Sequence, residues 1–299
     1  MTAEMIDRAD HAKTARRLLG SSSKNSYDPQ LDIDWDAPLP EGLAYMPLER
    51  VSLYGTPLWD ELSAEQRIEL SKHEFASIAS VGLWTEIILM QMLSRDAYHR
   101  DPRDPRTQYE LTEIGDETRH VIMFAKMVTR MGVPAYRPPR WVHHLARLYK
   151  ATARGPMLFG PVLVTEEITD RLQRSSMNDE GISPLIRMVN RIHVVEEARH
   201  VRFAREEMSR SLSRMSAPRR AWHRLVCAAV SATLASFLVD PKVYESVGLD
   251  PKQARRVARA NPHHQDTVRW MGEKIMRFLD DEGMVSRTTR PIYRAANLL

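Results

Sequence analysis

The chain carries one constellation of residues twice. Glu86, Glu117 and His120 recur as Glu166, Glu197 and His200, each 80 positions after its counterpart. The local text repeats with them. Thr85-Glu86 matches Thr165-Glu166, and Glu117-Thr118-Arg119-His120-Val121 matches Glu197-Ala198-Arg199-His200-Val201. Residues three apart on a helix share a face, so each Glu-x-x-His pair can reach one point from one side. A separation of 31 residues between the lone Glu and its pair, in both copies, leaves room for a helix, a reversal and an antiparallel partner. Together these features predict a four-helix bundle enclosing a two-metal site. In such a bundle two helices each give one Glu, and two others each give a Glu-x-x-His pair. One Glu-x-x-His would say little, because helices rich in these residues produce it by chance. A duplicated hairpin that merely kept a charged face would not explain why the retained residues are all ligand types. Glu86 also lies among Val81, Leu83 and Ile87, and Glu166 among Val162, Leu163 and Val164. Buried carboxylates in such text require a metal or a tight hydrogen-bond partner.

Carboxylate and imidazole ligands suit non-haem iron, with manganese as the alternative. Thiolate chemistry is excluded, since Cys227 is the only cysteine. The neighbouring Glu167 competes with Glu166 for the ligand position; the common offset and the shared Thr-Glu dipeptide favour Glu166. An acid precedes each bridging Glu, and an Arg precedes each His. Metal-bound histidines commonly donate their second N–H to a carboxylate. Asp116 and Glu196 are assigned that role, with Arg119 and Arg199 as their neutralising partners. The two copies differ at one point, where Glu113 in the first becomes His193 in the second. His193 lies on one helical stripe with Glu197 and His200, which makes it an expected extra ligand. Glu113 is read as structural.

These residues and the text around them resemble the p-aminobenzoate N-oxygenase (AurF-like) family of ferritin-like diiron proteins. The resemblance runs from about Asp32 to the C-terminus. It rests on Tyr54-Gly55-Thr56-Pro57-Leu58-Trp59, Ser71-Lys72-His73-Glu74, the duplicated ligands and His193-x-x-x-Glu197-x-x-His200. The extra His is its most specific part. The resemblance implies seven metal ligands: Glu86, Glu117, His120, Glu166, His193, Glu197 and His200. It implies two iron ions cycling between Fe2+ and Fe3+, O2 as co-substrate, and a small aromatic amine oxidised at nitrogen toward hydroxylamine, nitroso or nitro products. A homodimer is a further expectation from it. Glu117 and Glu197 are the expected bridges. No flavin or nicotinamide fingerprint is visible, so a separate reductase or ferredoxin is the expected electron donor. Two alternatives use the same ligands: a diiron hydroxylase or desaturase acting on carbon, and a ferritin-like iron-handling protein.

The expected fold is all-α: a ferritin-like four-helix bundle core with additional C-terminal helices and an extended N-terminal arm. Residues 1–30, polar and serine-rich near their end, read as a flexible tail, and 31–299 as a single domain. Prolines 38, 40, 47 and 57 suggest an extended arm wrapping the bundle. Helices carrying the ligands are expected from Ser63 to about His99, 106–131, 156–176 and Pro184 to about Met215. Pro161 is a candidate kink just before Glu166, and Ser183 a plausible N-cap. Net charge is +4, and the cations are not interleaved with aromatics as in nucleic-acid binding, so no nucleic-acid partner is expected. The N-terminus lacks a signal-peptide pattern and one Cys suits a reducing compartment, giving a cytoplasmic expectation. The most apolar run, Leu225–Val239, has 15 residues, whereas a span needs roughly 20. It reads as a buried core helix, with no membrane partner.

Overall fold

A computed structural model describes the backbone of residues 3–299 and side-chain surroundings from residue 12 onward. Four long helices form the bundle: α3 (Ala64–Tyr98), α4 (Pro105–Met131), α6 (Pro156–Ser176) and α7 (Pro184–Ser213). They pair as two hairpins, α3 with α4 and α6 with α7, and the hairpins pack against each other. The starts and stops follow local chemistry. Ser63 and Gln66 close a reciprocal capping box at the head of α3. Asp104 caps α4 and Pro105 opens it, while Gly132, at φ 68°, ends it in the left-handed region open to glycine. Ser183 stands at the N-cap of α7, but its hydroxyl caps nothing. Its backbone N–H instead bonds Ala44 O at 2.9 Å, tying the N-terminal arm to the bundle.

That arm is firmly packed. It contains the short helix α2 (Pro57–Asp60) and buries Met46, Val51, Leu53 and Trp59. The segment expected to be a flexible tail differs from that expectation. Residues Ala3–Ser22 form helix α1, which lies across α4 and α7. Met1 and Thr2 lie outside the described residues. Ala15, Leu18 and Ser22 are buried, and their spacing of three and four is one helical stripe. So few apolar positions leave the segment polar on average, which is why composition reads it as a tail.

After the bundle come α8 (Ala217–Ser236), α9 (Pro251–Ala260), α10 (Pro262–Asp281) and α11 (Arg290–Ala295). Helix α10 supports α6 from outside. Helix α8 corrects a second expectation. It buries only Cys227, Ala228 and Ser231, so it is not a core helix despite its apolar sequence. Between the hairpins runs α5 (Arg140–Thr152), which buries no residue at all. Its C-terminal carbonyls, Lys150 O and Ala153 O, are held by the guanidinium of Arg95 on α3. Pro161 sits inside α6 and supplies no N–H for Met157 O, four residues back. The hydroxyl of Tyr149 on α5 donates to that carbonyl instead. The helix continues through the proline.

Candidate metal centre

All seven expected ligands meet in the middle of the bundle, every one of them buried. Helix α3 contributes Glu86, α4 Glu117 and His120, α6 Glu166, and α7 His193, Glu197 and His200. Their donor atoms form three overlapping groups: Glu117, His120, Glu197 and His200; Glu86, His120 and His193; and Glu166, His193 and Glu197. Within each group the atoms lie within 4.8 Å of one another. Glu117 and Glu197 share the central group with both Glu-x-x-His histidines, the position a bridge requires. His193 Nε2 lies 3.3 Å from Glu86 and 3.9 Å from Glu166, between the lone carboxylates of the two copies.

The histidines have defined orientations. His120 turns Nδ1 to Glu117, at 3.2 Å, and Nε2 to Glu196, at 2.9 Å. His200 turns Nδ1 to Glu197, at 3.0 Å, and Nε2 to Asp116, at 3.1 Å. Each Nε2–H donates to the acid of the other copy, so the two halves hold each other's imidazoles. With a metal bound, this would fix the tautomer that leaves Nδ1 of each ring as the ligand atom. Arg119 pairs with Asp116, and Arg199 stands 3.6 Å from both Asp116 and Glu196. The four residues expected around the ligands are therefore one charged layer. Two features of this layer escape sequence reading. Glu196 accepts the backbone N–H of Tyr27 at 3.0 Å, and Arg199 donates to Asn25 O at 3.3 Å. The segment following α1 thus closes the layer. His193 points the other way from its partners: Nδ1 meets Gln173 Oε1 at 2.8 Å, and the ring packs on Phe124. Gln173 lies two turns beyond Glu166 on the same stripe of α6, the one sequence signal that could have found it. Glu167 turns away from the centre to a paired contact with Arg205, at 2.6 and 2.8 Å.

The electrostatics suit cations. Four carboxylates face one another in the buried interior, and two dications would balance their charge. Glu86 Oε2 and Glu166 Oε1 are buried with no donor in reach, which is costly unless a metal takes those lone pairs. The acids do not titrate alike without it. Burial raises Glu166 well above the usual carboxylate range, and Glu197 and Glu86 push it further. Burial would also raise Glu117, but His200 and His120 outweigh it and hold Glu117 low. Burial lowers His120, yet Glu117 and Glu196 prevail and push it up to about 10. A bound cation would reverse that logic, competing with the protons at each ligand.

One space touches the centre, and a larger one is walled by neighbours of its residues. A crevice of about 10 Å³ touches Glu86, Glu166 and His193 directly. That is room for a water-sized molecule. A second cavity of about 540 Å³ lies between α3, α5, α6 and α8. Thr85 and Val162 form part of its wall, and they lie one residue and one helical turn from Glu86 and Glu166. Trp84 lines this cavity and also packs against the core.

An all-α bundle with two lone glutamates, two Glu-x-x-His pairs and cross-held imidazoles is a ferritin-like carboxylate–histidine fold. The chain belongs to the family described as P-aminobenzoate N-oxygenase AurF, whose pattern matches residues 8–283. It is also similar to the uncharacterized protein Rv0885 of Mycobacterium tuberculosis and the uncharacterized protein Mb0909 of Mycobacterium bovis. Each is 27% identical over 313 residues, covering 99% of this chain and 89% of the relative.

Proposed function

We propose that the protein is a non-haem diiron mono-oxygenase that oxidises a small aromatic amine at nitrogen. The observation that carries this reading is the buried set of four carboxylates and three imidazoles, with unpaired oxygens on Glu86 and Glu166. Family membership supports it. Glu86, Glu117, His120, Glu166, His193, Glu197 and His200 would hold two iron ions. Iron bound there would supply dioxygen activation. The chain's own residues do the remaining work. Asp116 and Glu196 hold the outer protons of His200 and His120, keeping their inner nitrogens as ligands. Gln173 does the same for His193. Arg119 and Arg199 neutralise those acids, so the net charge of the ligand shell is set by the ligands themselves.

The small crevice suits dioxygen and the large cavity suits an organic substrate. Conversion of an amine to a hydroxylamine consumes O2, two electrons and two protons and releases water. The electrons come from a separate donor in this reading. Thr85 and Val162 would be the thin partition across which substrate meets the centre. A second reading, hydroxylation or desaturation at carbon, draws on the mostly apolar lining of the cavity, which includes Ile88, Met92 and Val226. An organic-sized chamber has no use in iron handling, which weighs against that alternative.

The test loads the protein with ferrous iron, adds a reductant and O2, and analyses p-aminobenzoate and related arylamines by mass spectrometry. N-oxygenated products that disappear in His193→Ala support the reading. Oxygen consumption with no amine product, but with oxidation of apolar carbon substrates, moves the activity to the second reading. Val162→Phe narrows the partition and is expected to reduce turnover with iron content unchanged.

A further inference from the structure

The apolar stripe of α5 is left uncovered by the rest of the chain. Trp141, Leu145 and Leu148 fall at helical spacing and are 51%, 58% and 66% exposed. An amphipathic helix in a globular protein normally turns such a stripe into the core. Beside it, α8 exposes Trp222 at 59% and Leu225 at 45%. The two helices meet where Trp141 packs against Phe237, ring centres 5.8 Å apart. The helix that begins at Ala217 is also long and apolar enough to pass for a membrane span, yet only 22% of that window is buried. These residues therefore border one face, and the cavity of about 540 Å³, which Leu145, Leu148 and Trp222 also line, opens onto it.

The charge of this face is one-sided. Residues 132–165 contain no Asp or Glu but carry Arg137, Arg140, Arg147, Lys150 and Arg154. Residues 208–239 also contain no acid, and include Arg219, Arg220 and Arg224. In a chain with 43 basic and 39 acidic residues, both acid-free runs fall on the two helices of one face. Among the described residues, the exposed Arg140, Arg147, Arg154 and Arg219 make no ion pair.

We propose that this face docks reversibly on an anionic membrane surface. Helix α5 has the composition of a helix that lies in the interfacial plane: tryptophan and leucine on one side, arginine and lysine on the other. Trp141 and Trp222 suit the headgroup level, where amphipathic rings gather. Anionic lipid would neutralise the unpaired arginines. The competing occupant is a second copy of the chain. A two-fold interface would bring this face against itself, placing unpaired cations against cations, which costs binding. Lipid matches both the apolar stripe and the charge, so it is the occupant favoured. The docking would be peripheral, with the whole bundle remaining outside the bilayer. It departs from the absence of a membrane partner expected from sequence.

The test is flotation of the full-length protein with phosphatidylcholine vesicles, with and without phosphatidylglycerol. The phosphatidylglycerol vesicles are expected to carry the protein upward at low salt and to release it at high salt. Leu145→Glu with Leu148→Glu is expected to weaken that binding by about tenfold or more. Arg147→Glu with Arg154→Glu provides a second variant, acting on charge alone. All four residues are exposed, so helicity and iron content should be unchanged. Three results would overturn the proposal: no dependence on phosphatidylglycerol, binding indifferent to both variants, or no vesicle binding together with a dimer that Leu145→Glu and Leu148→Glu dissociate.

Discussion

Glu196 and Asp116 never need to touch a metal for their charge to matter. Replacing Glu196 by Gln keeps its shape but weakens its grip on the His120 proton and its pairing with Arg199. Metal affinity in Glu196→Gln is expected to fall by roughly 10–100-fold, read by competition with a chelator. Unchanged affinity would show that the layer is structural only. Glu74 supplies a pH test remote from the ligands. It is buried on α3 and accepts the Ser52 N–H at 2.9 Å. Burial raises its carboxyl from 4.5 to about 7, despite that hydrogen bond. A raised carboxyl pKa stabilises the fold fully below the unfolded value. That stability is lost as pH rises through about 7, when the native group must ionise in place. The loss is on the order of 3 kcal/mol. Glu74→Gln should flatten this slope in urea titrations at a series of pH values; an identical slope in both proteins would refute the assignment. At this scale the sequence disclosed the seven residues that meet at the centre and the four around them, because each occurs in duplicate or beside a duplicate. Gln173 and the Tyr27 N–H have no counterpart in the repeat. Their roles come from packing between helices distant in sequence.

At the scale of elements, the proline in α6 is offset by a hydroxyl from α5. Tyr149→Phe leaves Met157 O buried and unpaired, at a cost of about 1–3 kcal/mol. Pro161→Ala would return an N–H to that carbonyl. The two substitutions should therefore be coupled, with Tyr149→Phe costing less in the Pro161→Ala background. Additive effects in thermal unfolding would contradict this. Helix α1 makes a second prediction. Leu18 is buried, and Leu18→Ala is expected to destabilise the protein by about 2–5 kcal/mol. A tail with no structural role would register no change. The ligand helices could be placed from sequence to within a residue or two, since caps, prolines and glycines punctuate them. Helix α1 could not, and neither could the exposure of α8. Among the described residues α1 buries Ala15, Leu18 and Ser22, and so sparse a stripe does not raise the average of a polar segment. An apolar run does not reveal whether another helix, a lipid or a ligand covers it.

At the scale of the whole molecule, the internal repeat builds the bundle twice, and the site belongs to neither half. Each half supplies carboxylates to the centre and an outer acid to the other half's histidine. A duplication seen in sequence implies this architecture because a common site needs helices from both copies. It does not reveal the crossed pairing, which depends on how the hairpins face each other. Without cations, four carboxylates are confined in a buried core, so metal and stability must be linked. The most direct test is metal analysis of the full-length protein after anaerobic loading with ferrous iron, alongside its melting temperature with and without a chelator. About two irons per chain, lost in Glu117→Ala with a lower melting temperature, is the expected outcome. No stoichiometric metal, and a melting temperature indifferent to the chelator, would mean that the buried carboxylates serve the fold rather than a metal centre.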